Sequence, residues 1–475
     1  MYEPARTDAT AAAARLNPWT PVVDEHAYAV TRIEGEVPRE LHGTLFRNGP
    51  SQRVKPVEGY EAMHLFDGDG LVHAFRIADG RVHYTSRFVR DDSYVADERL
   101  GPSKVDFLNF RVGEPAPDAP LRAPHNTNVV WHHGRLMAMV EADHPWEMDP
   151  RTLASRGRIT FTDPPLGMSV TAHPKIDGRT GQLVIHGYQP FPPFVQLYVV
   201  EPDGRCSLAE TVDTPYSVMM HDLALTEHYV IFLLCPVLLD VLEGRPFRDW
   251  LRWAPELGLK FGVRARTPGA PIRWFEAPTP GYIFHPGNAF EDGDRIVMDA
   301  CTYLDGAALL AGLAGVRAGE CPDNAGAVPF LYELDLASGT CRERQLDDRS
   351  AEFPRLDDRL VAYRNRYGYA VMADGPNFFM PGELMLVKYD RQGGRSQYHR
   401  FGRGHFPGEP VFVPRAPDAA EDDGFVLSVV ADMPAGTSYL AVLDARDLDA
   451  PPLAVAHLEH RVPLGFHGNF AAGVV

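Results

Sequence analysis

One phrase recurs along this chain: an apolar run, a turn containing glycine, then a more polar run. From about residue 125, GRLMAMVEA precedes MDPRTLASRG, HPKI meets Asp177-Gly178 and then GQLVIHGY, and VQLYVVEP leads into Asp203-Gly204. FLYELDLASGT turns at Ser338-Gly339, and ELMLVKYDRQGGRSQYHRF turns at Gly393-Gly394. Glycine supplies the backbone angles that tight hairpin turns demand, so each unit reads as strand, turn, strand. The phrase continues to the C-terminus with no composition break that would mark a linker. Length alone, 475 residues, suggests two or three domains, but a repeated architecture holds this many residues in one unit. Many short antiparallel strands fit an all-β propeller better than a sandwich, because radial repetition limits exposed edges. The expectation is a single domain over 1–475. The irregular spacing does not fix the number of blades.

Three stretches break the pattern: approximately 88–124, 236–262 and 303–325. The first carries proline and charge with little alternation. VLLDVLEGRPFRDWLRWAPELG has helical spacing of leucine and tryptophan, and ALLAGLAGV near residue 310 is a second helix candidate. As insertions they pack on the propeller; as a cap they enclose an apolar pocket on one face.

A net charge of -18 argues against a nucleic-acid partner, whose phosphates require a basic face, and gives no sign of polybasic attachment to lipid. The five cysteines, Cys206, Cys235, Cys301, Cys321 and Cys341, never form CxxC, which fits reduced thiols in a cytosolic protein. MYEPARTDATAAAARL carries acidic residues and no apolar core of signal-peptide length. The most apolar run, Val230 to Leu242, is interrupted by Pro236 and Asp240 and is too short to span a bilayer. A cytoplasmic protein is expected, at most peripheral to a membrane.

Among 19 histidines, four sit in distinctive contexts: His173 in TAHPK, His221 in MMHD, His285 in FHPGNA and His467 in FHGNF. They are too far apart for a local finger, so only the whole fold can bring them together. A propeller axis is where widely spaced ligands converge, and imidazole suits iron, copper, nickel and zinc. Pro174 fixes the backbone after His173, and the glycines beside His285 and His467 permit close approach to a crowded centre. Taken singly, each is better read as structural. Only the quartet points to metal. His132, His133, His144, His186, His228, His399, His405, His457 and His460 read as ordinary surface or core residues.

In this order the four motifs resemble those of the carotenoid cleavage oxygenases, non-haem iron enzymes on a seven-bladed β-propeller with a helical and loop dome over the iron-containing face. The resemblance runs nearly the whole chain, through LFRNGPSQR, HLFDGDGLVHAF, HNTNVVWHHGRLMAMVEADHPWEMD, EFPRLDDR, GEPVFVPR and GFHGNF. It implies that His173, His221, His285 and His467 bind one Fe2+ per chain, with O2 as co-substrate. It also implies that Glu141, Glu352 and Glu409 support the ligands. A metal-bound imidazole usually donates its other N–H to a partner, and a carboxylate there fixes the ring. Three carboxylates for four rings leave one ring with another partner. Four neutral nitrogens on an octahedral ion leave two adjacent positions. By the same resemblance, the Thr127 methyl crowds one of them; locally, Thr127 reads equally well as a turn residue after Asn126.

One branch of that family grips phenolic stilbenes with a lysine directly before the first glutamate and an upstream tyrosine. Here Val140 stands at the lysine position, and KVDFLNFRV has no tyrosine. A phenolate would lose its charge partner, at a cost in a desolvated site. The expected substrate is therefore an apolar polyene, a carotenoid or apocarotenoid, cut at a conjugated double bond into two aldehydes or ketones. Phe107, Phe110, Trp250 and Trp253 are candidates to line its tunnel. The alternatives are phenylpropanoid or stilbene cleavage to vanillin-type products, polyene isomerisation, and non-catalytic apocarotenoid binding. No obligate protein partner is evident; peripheral contact with a membrane would serve uptake of so apolar a substrate.

Overall fold

Seven antiparallel sheets surround one axis in the computed structural model, which describes residues 18–53, 65–100, 122–141, 143–162, 169–241, 247–315, 320–379 and 382–475. Blades 2 to 6 are four-stranded and consecutive in sequence, beginning at Asn128, Lys175, Leu223, Tyr282 and Ala351. Their hairpins turn where glycine can hold a positive φ, 78° at Gly339 and 65° at Gly394.

Blades 1 and 7 are completed by the chain ends. The C-terminal strand Gly468–Ala472 pairs with Gly43–Ser51 on the inner edge of blade 1. The early strand Arg32–Gly35 pairs with Ala454–His457 on the outer edge of blade 7. At this closure Gly49 and Gly465 approach so closely that a Cβ on Gly49 would lie 2.6 Å from the Gly465 Cα. LFRNGP and LGFHGN therefore meet backbone to backbone.

The core is distributed between blades, and the strands read as more continuously apolar than simple alternation predicts. Val129, Leu136 and Ala138 of blade 2 pack toward Phe46 and Val72 of blade 1. Their neighbours Val130, Met137 and Met139 pack toward Leu183 and Ile185 of blade 3. Successive side chains point to opposite faces, and here both faces are covered, so the polar half of the expected pattern is lost. Further clusters fill the seams between blades 3 and 4, 4 to 6, 6 and 7, and 7 and 1.

The three interrupting stretches differ among themselves. In the first, Asp92–Leu100 is helical, and residues 101–121, with Phe107 and Phe110, lie outside the described residues. ALLAGLAGV falls in the helix Gly306–Gly315. Among its described residues the leucine and tryptophan stretch has no α-helix, only short 3-10 turns at Phe247–Trp250 and Pro255–Leu257. Val237–Leu239 pairs with Leu251–Trp253 as a two-stranded ribbon, and blade 4 resumes at Lys260. Pro236, Pro246 and Pro255 remove donors from any continuous helical ladder, and the ribbon pairs the backbone of Val237–Leu239 with that of Leu251–Trp253 instead.

The seam between blades 7 and 1 also carries a histidine and tyrosine cluster. His26 stacks on His460 at 3.8 Å, and the Tyr84 hydroxyl lies 2.7 Å from His73 Nδ1 and 3.3 Å from His460 Nε2. Burial, with His460 and Arg47 nearby, holds His73 down to about 3; burial and His26 hold His460 down to about 4. Both imidazoles stay neutral in the fold, whereas the unfolded chain takes up protons near 6.5. This contribution to stability is therefore complete above pH ~6.5 and is lost as pH falls toward 4. The thermal unfolding midpoint is expected to drop across that window, and to drop less in His460→Gln. A variant profile parallel to the wild type would show that this ring does not couple to folding.

Candidate metal centre

Each of the seven blades places a residue of interest at or near the start of its inner strand. From blade 1 round to blade 7 these are His467, Thr127, His173, His221, His285, Glu352 and Glu409. Five stand one or two residues before their strands; His285 and Glu352 lie within theirs. The strands of His285 and Glu352 shift register beside them, which turns those side chains out of the regular ladder.

The four histidine rings meet. His173 lies 4.2 Å from His221, 5.0 Å from His285 and 4.6 Å from His467, centroid to centroid. His285 is 4.7 Å from His467 and 5.3 Å from His221. Nitrogens of His173, His285 and His467 all fall within 4.8 Å of one another.

Three of the rings are held from behind. His285 Nδ1 donates to Glu352 at 2.7 Å, and His467 Nδ1 donates to Glu409 at 2.9 Å. Glu141 lies against Nδ1 of His221. An ionised carboxylate can only accept, so the proton sits on Nδ1 and the Nε2 lone pair is left free. The Nε2 atoms of His173 and His285 are buried without a hydrogen-bond partner. Two orphaned acceptors beside two further imidazoles suit a divalent cation that prefers nitrogen ligands. The ring without a glutamate is His173. Its Nδ1 is 3.9 Å from Asp222, whose Oδ2 accepts from Lys175 at 2.7 Å.

Protonation is set by this packing. Burial and the three neighbouring rings hold His173 well below its ordinary value. Burial holds His467 down to about 4 despite Glu409. For His285 the pull of burial is outweighed by the charge and hydrogen bond of Glu352, which raise it. Among the carboxylates, burial of Glu409 is offset by the guanidiniums of Arg355, at 3.1 Å, and Arg47 and by the hydrogen bond from His467, which together hold it down to about 2.

Several supporting residues were not singled out by sequence reasoning. Tyr188 donates to Glu141 at 2.7 Å. Arg355 also donates to the carbonyl of Gly468 at 2.7 Å, tying blade 6 to the closing strand. Phe353 packs 5.7 Å from the His285 ring and 5.3 Å from His467, on a backbone with φ of 56° that is costly for a side-chain-bearing residue. Arg355 and Asp222 lie inside motifs already quoted, EFPRLDDR and MMHD. Tyr188 has no such signal.

A cavity of ≈ 490 Å³ reaches this ring from one side. Its wall includes Thr127, Val140, Phe284, Leu313, Phe379 and Phe466, and no lysine or arginine lines it among the described residues. Thr127 donates its hydroxyl to Asn126 at 3.1 Å and its carbonyl accepts from the His467 N–H. Trp250 and Trp253 do not line the cavity. Leu251 between them does, while Trp253 packs against Gly306. Val140 is buried in the wall beside Glu141.

Residues 19–472 match the family model described as retinal pigment epithelial membrane protein. The chain is 31% identical over 479 residues to a carotenoid 9,10(9',10')-cleavage dioxygenase 1 of Phaseolus vulgaris, covering 92% of this chain and 85% of the relative. It is 32% identical over 455 residues to an isoeugenol monooxygenase of Pseudomonas nitroreducens, covering 92% and 93%. The cobalt-substituted crystal structure of Synechocystis ACO superposes with a TM-score of 0.86 at 29% identity, over 97% of this chain and 98% of that one. The chain therefore belongs to the retinal pigment epithelial membrane protein family of carotenoid cleavage oxygenases, and it is an oxygenase.

Proposed function

We propose that this chain is an iron(II) dioxygenase that cleaves one conjugated carbon–carbon double bond of a carotenoid or apocarotenoid. The balance is one alkene and one dioxygen to two carbonyl products, with no external reductant. His173, His221, His285 and His467 are the ligands, and Glu141, Glu352 and Glu409 orient three of them. Ferrous iron held there supplies the redox centre at which dioxygen is activated. That a structurally similar chain was solved in a cobalt-substituted form supports a divalent metal at the histidines. Thr127 lines the cavity and its carbonyl accepts from the His467 N–H, so its side chain would limit the space beside a metal held by the histidines.

The observation that carries the substrate class is the cavity wall. Aromatic and aliphatic side chains remove a polyene from water, and with Val140 beside Glu141 no cation is offered to a phenolate. The similarity to isoeugenol monooxygenase favours a second reading, cleavage of a phenylpropanoid side chain on the same centre. Anaerobic loading with ferrous iron, then labelled dioxygen and a panel of carotenoids, apocarotenoids and isoeugenol, decides between them. Labelled polyene aldehydes or ketones are expected. Labelled vanillin with intact carotenoid would establish the second reading, and unlabelled isomerised polyene would remove oxygenation of that substrate.

Glu352→Gln keeps a hydrogen-bonding group behind His285 but removes its charge. Metal affinity or turnover is expected to fall by roughly 10–100-fold with the fold intact, read by metal titration and circular dichroism. Unchanged affinity and turnover would mean that Glu352 does not act through His285.

A further inference from the structure

The histidine ring has a second approach, chemically opposite to the first. A cavity of ≈ 210 Å³ runs along the propeller axis and reaches His173, His285 and His467. His173 lines only this axial shaft and His221 only the apolar chamber, whereas His285 and His467 line both. The ring therefore separates an oily chamber from a polar one.

The shaft carries three carboxylates, Asp222, Glu409 and Asp358, against two cations, Lys175 and Arg355. Asp358 is 53% exposed, Asp222 is 1% exposed, and His173 is 5% exposed with its Nε2 unpartnered. Oxygen ligands thus run from solvent to a nitrogen ligand with no bond of its own.

We propose that this axial shaft is the route by which the divalent metal ion reaches the four histidines. The inference rests on the metal reading above and adds the path and the residues that line it. The apolar chamber holds Glu141, Glu352 and Asp249 too, but its wall is mostly aromatic and aliphatic, so a hydrated dication entering there would lose most of its water against apolar surface, at a cost of many kcal/mol. In the shaft, three carboxylates against two cations leave a net negative charge that attracts the ion, and Asp358 and Asp222, paired with Arg355 and Lys175, replace its water as they exchange those cations for it. The chamber is left for the polyene. Substrate and metal then enter from opposite sides, and bound substrate does not stand in the way of loading.

The test is Co2+ uptake by the chelator-stripped full-length protein, its fold checked by circular dichroism, followed by stopped-flow absorbance of the bound ion. Asp358→Lys reverses charge at the mouth, and Val361→Trp narrows the shaft if the first variant misfolds. Either is expected to slow uptake roughly tenfold, with final stoichiometry unchanged. The Asp358→Lys effect should shrink as salt is raised. Leu310→Trp, which narrows the apolar chamber, should leave the uptake rate alone. Wild-type uptake rates in both shaft variants, or slowed uptake in Leu310→Trp, would overturn the route while leaving the metal reading standing. A wild-type chain that takes up no Co2+ overturns both.

Discussion

Replacing His285 with alanine is expected to remove bound metal and alkene cleavage together. His285 is within 5.3 Å of all three other rings, centroid to centroid, and borders both cavities. Its loss takes away a ligand nitrogen and leaves Glu352 buried without its imidazole partner. The effect on affinity should exceed the roughly 10–100-fold that loss of an outer partner costs. Metal content measured by mass spectrometry, with activity assayed in parallel, checks this. Partial recovery of metal content on adding free imidazole would show that the scaffold survived and only the donor was lost. Full metal content in the variant would refute the assignment of His285.

Arg355→Leu is expected to produce the largest loss of stability. The guanidinium is the cation nearest to Glu409, at 3.1 Å, and it also bonds the Gly468 carbonyl and the Asn469 side chain. Breaking a buried ion pair from one side leaves the other charge uncompensated, typically at about 3–5 kcal/mol. Glu409 keeps its bonds to His467 Nδ1 and the Gly468 N–H, so the carboxylate does not simply swing away. A lower urea midpoint at unchanged slope is the expected signature. Arg355→Lys restores charge without the fork and should recover only part of the loss. A midpoint unchanged in Arg355→Leu would show that solvent screens Glu409 along the axial shaft.

The parts of the molecule legible in sequence are those where local chemistry and global position coincide. Hairpin turns need glycine whatever surrounds them, so Gly339 and Gly394 announced their strands. The histidine quartet was legible because its motifs are long and ordered. Where tertiary context decides, the reading failed. VLLDVLEGRPFRDWLRWAPELG has leucines at helical spacing, yet Val237–Leu239 found a pairing partner in Leu251–Trp253 and became a ribbon. Trp253 looked like a tunnel residue and instead fills the space against Gly306. Tyr188 reaches Glu141 across 47 residues, and nothing near Tyr188 in the chain signals that bond. Asp222 sat next to a chosen histidine, but its proximity to His173, and to Lys175 beyond it, exists only in three dimensions.

The closing strand gives the site a place in time. His467 precedes the final strand, and Arg355 and Glu409 both bond the backbone of Gly468. During synthesis, which runs from the N-terminus, six blades can form before that segment leaves the ribosome. His467 comes into place only when Gly468–Ala472 pairs with Gly43–Ser51, so the pairing that seals the ring also delivers the fourth imidazole. Until that pairing forms, the axis holds at most three of the four imidazoles, so closing the ring and completing the site are one event.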